Sequence, residues 1–85
     1  MTKKHFEAIA EDINTRAIVV YSSDSSYDEK WFGLLTLAHL VNDFVSTFSK
    51  FNDNFNAAIF ITACGVNKLK LELETIQATQ IASGI

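Results

Sequence analysis

The side chains able to do chemistry are few and scattered. His5 and His39 lie far apart in opposite contexts, and Cys64 is the single cysteine. Metal sites draw several His, Cys, Asp or Glu at defined spacing, and the chain has no His-x-x-x-His, Cys-x-x-Cys or Glu-x-x-His. His39 and Asp43 stand four apart, on one face if the segment is helical, but two ligands do not make a catalytic metal centre. Flanked by Leu37, Ala38, Leu40 and Val41, His39 has the context of a core or interface histidine. Cys64 would act as a nucleophile only beside an activating base and with a lowered pKa. Its expected place at the C-terminal end of a helix disfavours a thiolate and points to a buried structural thiol.

Other site chemistries fail on spacing. Three scattered glycines cannot form a phosphate-binding loop. Asp24, Asp28 and Glu29 miss both the spacing and the glycine of a calcium loop. The serines between Ser22 and Ser26 are phosphorylatable in principle, but they read first as a connector. No catalytic, cofactor-binding or metal-ligating residue is expected, and no enzyme.

The remaining sharp feature is aromatic. The chain of 85 residues holds seven Phe, two Tyr and one Trp. A domain this small buries only roughly 60% of the surface its unfolded chain exposes. Trp31, Phe32, Phe44, Phe48, Phe51, Phe55 and Phe60 exceed what such a core absorbs, so part of the set is expected at an interface. Trp31, Phe32, Leu37, Leu40, Phe44 and Phe48 are the candidates.

These residues must be positioned by helices. With no proline and only three glycines, the composition leans helical. The first helix is expected over about 2–20, with Thr2 as N-cap and Phe6, Ile9, Ala10, Ile13, Ala17 and Val20 at helical spacing. The β-branched run within 17–21 also fits a buried strand, but a lone strand needs a partner that the sequence does not offer. The second helix is expected over about 26–50, capped by Ser26 with Asp28 and Glu29 in its first turn. Trp31, Leu34, Leu35, Ala38, Val41, Val45 and Phe48 form one stripe along it. Leu37, Leu40, Phe44 and Phe51 form a neighbouring stripe, and the combined arc is wider than one partner helix covers. Gly33 within it costs about 1 kcal/mol against Ala, which close approach of another backbone would explain and so would chance.

The third helix, 56–64, has Asn56 as N-cap and Phe55 stapled to Phe60. Ile59, Phe60 and Ala63 are expected to face inward, and Gly65 to end the helix in a left-handed conformation. For the last stretch, Lys68 to Glu74 alternates like a strand, whereas Val66, Leu69, Leu73, Ile76 and Gln80 trace a helical face. Strong helix formers favour a helix over 67–82. The fold expected is all-α, a small bundle of three to four helices in one domain spanning 1–85, with 66–85 as a helical extension or an oligomerisation arm.

Seven Lys and Arg against ten Asp and Glu give a net charge of −3. No basic cluster exceeds two residues, which disfavours nucleic-acid binding by a monomer. A dimer presenting Lys3, Lys4 and Arg16 remains the alternative, and a small-ligand pocket between helices at an oligomer interface, with His39 inside, is a further one. The most apolar stretch, Trp31 to Val41, is far shorter than the about 20 residues that cross a bilayer. Lys3 and Lys4 lead into Glu7, Glu11 and Asp12, not the apolar core of a signal peptide. One cysteine allows no internal disulfide, so a cytoplasmic location is expected.

Two segments, Lys3-Lys-His-Phe-Glu-Ala-Ile-Ala10 and Phe51-Asn-x-x-Phe-Asn-x-x-x-Phe-x-x-x-Cys-Gly-Val66, resemble a family of small phage and prophage proteins. Asp53 stands where that family has proline, and Asn56 where it has a capping Asp. The residues after Gly65 exceed the family's usual length. The resemblance implies a compact helical protein of viral genomes, working in the host cytoplasm, and transfers no activity. The combined expectation is a non-enzymatic accessory protein without a cofactor, forming a homo-oligomer, with a dimer favoured, and binding a host or phage protein.

Overall fold

The computed structural model describes residues 2–83, with side chains described over 2–79. Four helices follow in order: α1 (Lys3–Ser22), α2 (Tyr27–Phe51), α3 (Ala57–Cys64) and α4 (Val66–Ser83). The β-branched run at 17–21 continues α1, and Lys68 to Glu74 is helical. Tertiary packing decides both: Ala17 is fully buried, and Val66 and Leu73 are buried on one face of α4. Partly buried Leu69 lies between them, so the helical period prevails over the alternating one.

Local chemistry sets the boundaries. Thr2 is the N-cap of α1, and its own N–H donates to His5 Nδ1 at 3.0 Å. At the other end, the Ser23 hydroxyl donates to Val20 O at 2.8 Å. Ser26 Oγ accepts the Glu29 N–H at 3.2 Å, and Asp28 and Glu29 place negative charge in the first turn of α2. Asn56 Oδ1 accepts the Ile59 N–H at 3.1 Å. Gly65 then ends α3 at φ 67°, its N–H directed at Thr62 O (3.1 Å) and Ile61 O (3.4 Å).

Helices α1 and α2 form an antiparallel pair. Phe6 meets Phe48 at one end, with ring centroids 4.9 Å apart. At the other end, Val20 lies so close to Gly33 that a Cβ there would be 2.8 Å from Val20 Cγ1. The close backbone expected at Gly33 is not found; what approaches it is the Val20 side chain. Helices α3 and α4 act as a third rod broken at Gly65. Phe55 and Phe60 start it beside Phe6 and Phe48. At the break, Asn14 Nδ2 donates to Cys64 O at 3.1 Å. Farther on, Trp31 Nε1 donates to Glu74 Oε1 at 3.0 Å, and Lys70 Nζ stands 5.5 Å from the Trp31 ring centroid. Residues 66–74 are thus tied into the bundle. Gln80 and the end of the arm expected over 66–85 lie outside the described side chains.

The core differs along its length. Around Phe48, the rings of Phe6, Phe44, Phe55 and Phe60 have centroids 4.9–5.6 Å away. Phe44 stacks on Phe48 and Phe60 meets it edge-on, arrangements that add to the burial itself. Toward the other end the fully buried side chains are aliphatic, Ala17 and Leu34, with Tyr21, Tyr27 and Trp31 partly buried against the core. One expectation is corrected here. Of the three α3 residues placed inward, only Phe60 is buried. Ile59 is 64% exposed and Ala63 is also exposed, because Phe60 and Cys64 set the buried face.

Candidate interaction surface

Helix α2 carries all six residues expected at an interface, and packing divides them. Phe48 is buried at the centre of the aromatic cluster, so it belongs to the core and offers no surface. Trp31, Leu37 and Phe44 are partly buried against that core. Phe32 and Leu40 stand exposed. The wide apolar arc of α2 is thus mostly consumed by α1, α3 and α4.

Other large apolar side chains are at least as exposed as these two. Phe51 is 83% exposed at the last turn of α2, and Leu71 on α4 is 63% exposed. Phe51 belongs to the second stripe of α2, yet it sits where the helix ends, and the stripe alone does not locate the end of its cover. Leu71 is the outward residue of an alternating segment, so the alternation that resembles a strand was also the signal of its exposure.

Beside Phe51 the chain forms an open groove of about 360 Å³ between α1 and α3. Phe6, Phe55 and Phe60 line it with Ile59 as an outer wall, and Lys3 and Glu7 stand at its edge. Asn52 and Asn54, which directly follow Phe51, also border it. A second, shallower depression involves Tyr21, Leu71 and Ile76 at the far end of α1. The floor of the groove is apolar, and its rim carries one cation and one carboxylate 3.9 Å apart. Such a lining offers apolar surface in a concave shape.

The titratable candidates remain apart. His39 and Asp43 are exposed on α2, and neither lines the groove or the second depression. Lys3, Lys4 and Arg16 are all exposed on α1, with Arg16 about 20 Å along the axis from Lys3. Cys64 is completely buried, and loss of solvation pushes its thiol up to about 11. Among the described residues, no three His, Cys, Asp or Glu come together as a metal site. No described helix is long and apolar enough to cross a membrane. No family model, curated protein or solved structure matches this chain, so its surface is the basis for reading its role.

Proposed function

We propose that this protein is a non-enzymatic, self-associating helical module that works by binding another macromolecule. The supporting observation is the exposure of large apolar side chains after the core is complete: Phe32, Phe51, Ile59 and Leu71 each present more than three-fifths of their surface. Scattered single apolar residues are ordinary on a protein surface. Here Ile59 borders an aromatic-lined groove and Phe51 immediately precedes its rim, which is the composition of an interface. The resemblance to small phage and prophage proteins fits an accessory role in which a host or phage protein is the further partner.

Sedimentation velocity across the micromolar range tests the self-association. The expected result is a concentration-dependent rise from the 9.5 kDa monomer toward twice that mass. A single monomeric species at every concentration refutes it.

A further inference from the structure

Resting on the self-association proposed above, we infer that two copies pair antiparallel through the outer face of α4, about Leu71, with Lys68 of each beside Glu72 of the other. Val66 and Leu73 are buried and Leu69 is half-buried against the bundle. Leu71 stands about 160° around the helix from both Leu69 and Leu73, and it is 63% exposed. Asn67, Lys68, Thr75 and Ala78 are exposed around it. The small side chains of Thr75 and Ala78 allow a second helix to come close.

The order of the charges identifies a second copy as the occupant. Lys70 and Lys68 precede Leu71 by one and three residues, and Glu72 and Glu74 follow it by the same steps. Reversal about Leu71 therefore exchanges the two signs, so each half of the face meets its opposite, as a two-fold contact requires. A parallel pair would instead set Lys68 against Lys68. Lys68 and Glu72 lie on one flank of Leu71, about 60° and about 100° around from it, and reversal brings them to levels about 3 Å apart along the axis. Lys70 and Glu74 oppose in the same way on the other flank, but Trp31 engages both within the chain. Lys68 and Glu72 have no such tie. The ion pair among the described residues is Lys3–Glu7, and lysine before glutamate at this spacing is the weaker order within a helix. The partner's Lys68 also crosses the depression that Glu72, Thr75 and Ile76 form with Tyr21, which takes its aliphatic stem.

Lys68→Glu and Glu72→Lys test the pairing by sedimentation velocity at low salt, with circular dichroism to verify the helices. Each single reversal makes both contacts repulsive and is expected to weaken self-association about threefold to tenfold. The double reversal restores both contacts and wild-type association, and so does an equimolar mixture of the two single variants. A mere net-charge effect would move the two single variants in opposite directions, because one deepens the net charge of −3 and the other reduces it. Leu71→Cys places a thiol at the two-fold axis, and mild oxidation with diamide is expected to couple two chains through it. The buried Cys64 and an exposed control, Phe32→Cys, give little coupling. If the single variants associate like the wild type or shift in opposite directions, this interface is wrong while self-association stands. Leu71→Cys chains that stay uncoupled while the wild type associates also overturn it. If the wild type is monomeric throughout, both proposals fall and the α4 face belongs to a foreign partner.

Discussion

Cys64 has no exposed surface, and its burial is what raises its thiol above the ordinary value. The folded protein keeps the thiol protonated up to about 11, while the unfolded chain releases that proton near the ordinary value of 9.0. Between those limits the unfolded state binds fewer protons, so stability falls as pH rises through the window and is level below it. The slope expected from this group is at most about 1.4 kcal/mol per pH unit. Urea melts at increasing alkaline pH, compared with Cys64→Ala, isolate that slope from the titration of lysines and tyrosines. At neutral pH, alkylation of Cys64 is expected to wait on unfolding, and a native protein labelled as fast as the denatured one contradicts the placement.

The same region controls the break between α3 and α4. Gly65 holds a left-handed φ of 67°, and a Cβ there would come within 2.5 Å of Asn14 Nδ2. An alanine at this position carries the left-handed penalty of about 1 kcal/mol and displaces the amide that bonds Cys64 O. Gly65→Ala is therefore expected to destabilise the fold by about 2–3 kcal/mol in a denaturant titration. Because Asn14 is the obstacle, Asn14→Ala should relieve part of that penalty in the double variant, and strict additivity would show that the two side chains do not compete. The helical elements themselves were readable: Ser26, Asn56 and Gly65 occupy the capping roles that their types and spacings imply. The register of α3 was not. Its sequence AAIFITAC is nearly all apolar, so no polar face distinguishes Ile59 and Ala63 from Phe60 and Cys64. Only the packing of Phe60 on Phe48 selects the buried side. The fate of the aromatics was hidden for a related reason, since Phe6 and Phe55 reach Phe48 from distant parts of the chain.

As a whole the molecule measures 51 × 20 × 16 Å, with a radius of gyration of 14.8 Å. A compact chain of this length has a radius near 12 Å. The elongation follows from three rods lying side by side, since a 25-residue helix such as α2 is itself about 37 Å long. So slender a body leaves much surface for each core residue, and the self-association proposed above would offset that deficit by mass action. The apparent melting temperature is accordingly expected to rise with protein concentration, and a melt independent of concentration would speak against a coupled dimer. The surplus of aromatics motivated the expectation of association. Which rings stay outside was not legible, because five phenylalanines gather inside and leave Phe32 and Phe51 exposed.

The sole tryptophan lies some 25 Å along α2 from the phenylalanine cluster, held by Glu74 beneath Lys70. Its emission is thus a private signal of how α4 seats on α2. Loosening confined to the aromatic end would leave that signal untouched while changing the phenylalanine ultraviolet bands. The protein consequently carries two separate optical gauges, one for each end of the same rod.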